Sequence, residues 1–151
     1  MGAGEGPHRF DYPPCDRCAA CHFAAPGTVE AGARAFAANG CANCHGAPGV
    51  TWAKFSEGLH PDPPDLKDVV KDVTPAQLFW VIKNGINMTG MPSFASAGMK
   101  DEDIWAVAAF LKKLPTVSEA DYKGWLAPPR PTGSPVRTIP GSGPAAPPAQ
   151  K

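Results

Sequence analysis

Cys41-Ala42-Asn43-Cys44-His45 decides how the rest of this chain is read, together with Met91 in Gly90-Met91-Pro92. Cys-x-x-Cys-His is the spacing for covalent haem attachment: two thioethers from the cysteines and one iron ligand from the adjacent histidine. A methionine well downstream can supply the second axial ligand. The same pattern occurs upstream as Cys18-Ala19-Ala20-Cys21-His22. Five cysteines and four histidines shuffled through 151 residues would give roughly 0.004 such matches, so chance explains neither copy.

The rival readings of Cys41–His45 are weaker. Zinc needs two further ligands at workable spacing, and none is obvious. A redox dithiol needs neither the adjacent histidine nor the Met-Pro pair. The upstream copy has a structural alternative, because Cys15-x-x-Cys18-x-x-Cys21-His22 also resembles a cluster or zinc run. An iron–sulfur run wants a fourth cysteine, however. Adjacent Cys21 and His22 are awkward ligands for one zinc. The expectation is therefore two covalent haems, the second on Cys18 and Cys21 with His22 as ligand. Cys15 is left over, as a free thiol, an intermolecular disulfide or an alternative attachment site. His8, in the same segment, is the preferred sixth ligand of this haem; His60 is the alternative and Met88 a weaker one.

Working outward, composition divides the chain into three. Residues 1–27 are broken by Gly and Pro, with only Phe10, Tyr12 and Phe23 as large apolar anchors. Such a segment cannot build its own core. Residues 28–126 form the body. Residues 127–151 contain eight prolines and three glycines, a polyproline-like or flexible tail. Residues 1–27 carry two basic and three acidic groups, 28–126 nine and eleven, and 127–151 three and none. The tail is thus basic and the body mildly acidic. A net charge of zero suggests no polyanion, so no nucleic-acid partner is expected. No apolar run approaches bilayer length, and no signal-peptide pattern is visible at the start. Covalent haem nevertheless implies export, to the periplasm or beyond the cell, with any signal already removed.

Within the body, Val29, Gly32, Ala33, Phe36 and Ala37 share one helical face, with Thr28 as N-cap and Gly40 as terminator. Residues 46–73 read as a proline-rich loop pinned by Trp52, Phe55, Leu59 and Leu66. Thr74, Pro75 and Gln77 announce a capped helix to Gly85, burying Leu78, Val81 and Ile82. Asp101 is the expected N-cap of a helix over 102–114 burying Ile104, Val107, Ala108 and Leu111. A short helix from Ser118 to Leu126 follows.

This order resembles the class I c-type cytochromes across residues 28–115. It is carried by Gly32 and Phe36, CANCH at 41–45, Pro63-Pro64-Asp65-Leu66, LFWVIKNGI at 78–86, GMPSF at 90–94 and DEDIWAVAAFLKKLP at 101–115. The resemblance implies an all-α fold of three to five helices around a covalent haem. It implies a crossing of first and last helices at Gly32, Phe36, Trp105 and Phe110. It also implies His45/Met91 ligation, with the Pro64 carbonyl orienting His45. Trp80, inside the 78–86 motif, is counted with the cofactor-binding residues.

His/Met ligation raises a haem's potential above bis-His. With both axial positions filled no site is open to a substrate, so electron transfer is expected rather than catalysis. The upstream haem, short of its own protein, must lean on the body or on a partner. The expected partners are redox proteins and, in the sharpest form, further copies, with haems in a chain or filament and the basic tail strapping acidic neighbours. The alternatives are a dihaem, peroxidase-like enzyme with one open iron, and a monohaem carrier whose N-terminal motif is structural.

Overall fold

The computed structural model describes residues 23, 25 and 27–128. Cys15, Cys18, Cys21, His22, His8 and the tail from residue 129 lie outside the described residues. Among the described residues six α-helices follow in order: α1 (Thr28–Ala38), α2 (Cys41–His45), α3 (Leu66–Asp72), α4 (Pro75–Asn84), α5 (Asp101–Lys113) and α6 (Glu119–Leu126). Short 3-10 turns occupy Lys54–Gly58 and Leu114–Thr116. Among the described residues there is no strand beyond an isolated Ala47–Val50 bridge. The chain is all-α, as its motifs imply.

The expected crossing of first and last long helices is present. α1 meets α5 at Gly32, where a Cβ would overlap the Ala106 carbonyl and come within 2.9 Å of Phe110 Cβ. Only the missing side chain lets the two backbones touch. Phe36 and Phe110 are fully buried with ring centroids 5.4 Å apart. Burying each stabilises the fold by roughly 1.5–3 kcal/mol. α6 closes the other flank: Tyr122 stacks on Phe110, and Arg34 Nε donates to the Trp125 carbonyl at 2.7 Å.

α4 starts as read. Thr74 Oγ1 accepts from Gln77 N, and the Gln77 amide oxygen accepts from Thr74 N at 2.8 Å, closing the capping box. Elsewhere the ends differ. Gly27, at φ 83°, takes the N-cap position of α1, and Thr28 is the first helical residue. Lys100 occupies the N-cap of α5 without a side-chain bond. Asp101 instead enters the first turn, where it suits the helix dipole, and its carboxylate pairs with Lys83 Nζ at 2.8 Å.

The larger difference is α3, in a stretch read as loop. Its three preceding prolines, 61, 63 and 64, all fall outside the helix. Asp65 caps it by accepting from Lys67 N at 2.8 Å. Leu66, Val69, Val70 and Val73 then recur at helical spacing, and Val70 is buried in the core. Lys112 of α5 donates Nζ to the Val70 and Val73 carbonyls, satisfying the end of α3.

Candidate haem site

Gly40 (φ 73°) ends α1 and turns the chain directly into α2, so Cys41, Cys44 and His45 project from one short helical turn. The turn is anchored from outside, because Ala53 N donates to the Asn43 carbonyl at 2.7 Å. His45 Nδ1 lies 3.0 Å from the Pro64 carbonyl oxygen. A carbonyl can only accept, so the proton sits on Nδ1 and leaves the Nε2 lone pair available to a metal. Pro64 therefore stands where the resemblance puts it. Neither Cys41 nor Cys44 is engaged in a disulfide. Burial pushes the Cys41 thiol up to about 11, with Cys44 adding to the rise and a backbone hydrogen bond opposing it.

Met91 arrives from a different part of the chain. α4 stops at Gly85, whose φ of 71° and ψ of −172° belong to a region only glycine enters without strain. A Cβ there would lie 2.7 Å from the Met91 carbonyl oxygen and 2.6 Å from the Pro92 carbonyl carbon. The methionine loop packs directly against this backbone. Ile86 N donates to the Met91 carbonyl at 3.1 Å. Thr89 Oγ1 donates to the Ile86 carbonyl at 2.8 Å and accepts from Met91 N at 3.1 Å. Ser93 Oγ and Phe94 N then tie the loop's exit to the Lys83 and Ile82 carbonyls of α4.

These supports bring Cys41, Cys44, His45, Pro64 and Met91 to the wall of one cavity of about 450 Å³. That volume falls within the about 300–1,000 Å³ of cofactor sites. Phe36, Leu66, Leu78, Ile82, Phe94 and Leu111 make the wall apolar. Two thiols, one imidazole with a fixed proton, one thioether and an apolar slot fit the donor set of covalent haem.

Other expected residues fall elsewhere. Trp80 does not line the cavity and is 62% exposed. On α4, positions 78, 81 and 82 share the inward face, which turns position 80 outward. Leu59 and Leu66 do reach the cavity, but Trp52 and Phe55 are 57% and 61% exposed and do not. His60 stands on the surface, 86% exposed, on the loop whose neighbours Leu59 and Pro61 wall the cavity. Cys18, Cys21, His22 and His8 lie outside the described residues. Phe23, immediately after His22, packs against the hydrophobic core. Gly85, Thr89 and Val69 also belong to this site, beyond the residues its motifs name. Their signals were the Asn84-Gly85 stop next to the Met-Pro loop, a hydroxyl two residues before Met91, and the apolar spacing after Asp65.

The family model described as "Cytochrome C oxidase, cbb3-type, subunit III" matches residues 27–111, more than half of the chain. Comparison with curated proteins and with solved structures gives no match.

Proposed function

The chain belongs to this family of c-type cytochrome domains and carries covalently bound haem c, and on that premise we propose that it is an exported dihaem electron carrier with a closed His45/Met91 iron. The observation that carries this reading is the convergence of both thiols, His45 and Met91 on one apolar cavity. Haem c, when bound, supplies a one-electron Fe(II)/Fe(III) couple. Cys41 and Cys44 would hold it by thioethers, and His45 and Met91 would supply the two protein ligands to its iron. The Pro64 carbonyl fixes the imidazole's tautomer and raises the basicity of Nε2. The Met91 thioether would favour the reduced iron relative to a second imidazole. The apolar wall excludes water and adds to that preference. Ile86 lines the cavity while remaining half exposed, and marks an apolar approach for a redox partner.

With His45 and Met91 both bound to the iron, no position would be left for a substrate, which argues against turnover. Carbon monoxide added to the reduced protein is the test. The body haem is expected to remain low-spin and unreactive, and to become reactive in Met91→Leu. Binding by the unaltered body haem would sink the closed-iron reading in favour of a peroxidase-like enzyme.

The second haem is proposed on Cys18 and Cys21, with His22 as one ligand. Core-packed Phe23 next to His22 supports a position against the body. His8 remains the preferred sixth ligand by its place in the same segment. His60 is the alternative that the body itself offers, exposed and adjacent to the cavity wall. Bis-His ligation gives this haem the lower potential. A haem with so little chain of its own is proposed to relay electrons to a partner protein or to another copy, so that haems line up. Among the described residues no helix is long and apolar enough to cross a membrane.

A further inference from the structure

A second groove, of about 560 Å³, is lined in part by His45 and does not include Met91. It shares Cys44, His45, Asp62, Pro63 and Pro64 with the haem cavity and opens to the surface. Two of its walls are apolar side chains left in solvent, Trp52 and Val50. Its rim carries Glu57, Asp62 and Asp65 against one lysine, Lys67. An exposed tryptophan ringed by carboxylates is the surface that a proline-rich, arginine-bearing strand recognises. Polyproline segments are preformed, so they lose little entropy on docking into aromatic grooves.

The chain carries such a strand. Residues 129–151 include Arg130, Arg137, Lys151 and seven prolines, and no acidic side chain. We propose that this tail folds back and seats in the Trp52 groove of its own chain. The described chain ends at Pro128, just beyond α6. The other end of α6 stands at the groove, because Glu119 packs against Gly49. The tail needs only to return along α6, about 12 Å for eight residues of helix. Some four residues of polyproline, at about 3.1 Å each, cover that distance. Pro135 then falls near Trp52 and Arg137 near the acidic rim, with Arg130 on the approach along α6. The N-terminal segment is the poorer occupant, since residues 1–22 carry three acidic and two basic side chains toward a rim already acidic. A neighbour's tail competes poorly with one tethered on the same chain, whose effective concentration is on the order of millimolar.

Seated there, the tail covers the proximal side of the site, over the His45–Pro64 hydrogen bond. The test is NMR on isotope-labelled, full-length haem protein. The tail amides of Thr132 to Arg137 are expected to relax as ordered residues, at every protein concentration. In Trp52→Leu they should relax as free chain. A double Arg130→Gln, Arg137→Gln change cannot disturb the folded body, and should shift the Trp52 indole resonance to the same position that high salt gives. A tail that already relaxes as free chain in the unaltered protein overturns the proposal. So does a Trp52→Leu change that leaves the tail amides unmoved. Tail order that is lost on dilution also overturns it, and assigns the groove to a second copy.

Discussion

The two Cys-x-x-Cys-His motifs share one five-residue pattern and lie in stretches of very different composition. Cys41–His45 sits at the end of a core helix. It receives a carbonyl from Pro64, a methionine from a loop pinned to α4, and a cavity wall from α3, α4 and α5. Cys18–His22 belongs to 27 residues with three large apolar anchors, of which Phe23 is packed on the body's core. A motif states where haem is attached. The second ligand, the tautomer and the dryness of the site come from elements distant in sequence. The properties of a haem at Cys41–His45 would therefore be set by its own fold, and those of the haem proposed at Cys18–His22 by whatever it leaned on.

The sharpest way to break this contrast is to remove each attachment separately. Replacing Cys41 and Cys44 by serine should abolish the body's cooperative unfolding, because an apolar cavity of about 450 Å³ then loses its filling. Replacing Cys18 and Cys21 should leave the body's melting temperature within a few degrees of the parent. Calorimetry of both variants reads the difference, and equal destabilisation would remove the distinction between the two motifs.

Gly85→Ala comes next. Its φ and ψ are unfavourable to alanine by about 1–3 kcal/mol, and the new Cβ displaces the Met91 carbonyl. A total loss of about 3 kcal/mol is expected. The iron–methionine charge-transfer band should weaken with the haem still attached. A destabilised protein whose methionine band is unchanged would mean that Gly85 serves the helix end and not the ligand.

Thr89→Val removes a hydroxyl that makes two hydrogen bonds in the same loop. Denaturant titration should show a loss of about 1–2 kcal/mol. The methionine should also be replaced by an external ligand such as imidazole at a lower concentration. No change in imidazole affinity would place the loop's rigidity elsewhere.

The smallest effect is a pH dependence confined to the body. Tyr122 is buried against Phe110, and burial raises its pKa above the ordinary 10.0. The folded state therefore holds this proton more tightly than the unfolded chain. Its contribution is complete below the ordinary tyrosine range and fades as pH rises through it. Melting temperature should fall between about pH 9 and pH 11 in the parent and fall less in Tyr122→Phe.

Much of the body is legible in the sequence because its signals are local. Thr74, Pro75 and Gln77 write their helix start in four residues, and Cys41–His45 writes its chemistry in five. Gly32 reads as a close approach because it lies on an apolar helical face. The sites that differ depend on distant contacts. Trp80 and Phe79 are neighbours in an aromatic run, yet Phe79 stacks on Trp105 with centroids 4.4 Å apart while Trp80 faces solvent. α3 is hidden by prolines that precede it, and its end is completed by Lys112, some forty residues later. The backbone at Gly85 touches the methionine loop only after α4 has turned the chain, which no spacing rule encodes.

Intact mass of the purified, fully denatured protein tests the central claim most directly, because thioethers survive unfolding. Two attached haems are expected, falling to one in the Cys18→Ser, Cys21→Ser variant and in the Cys41→Ser, Cys44→Ser variant. A single haem on the unaltered chain would contradict the dihaem reading and leave one closed carrier with a structural N-terminal motif.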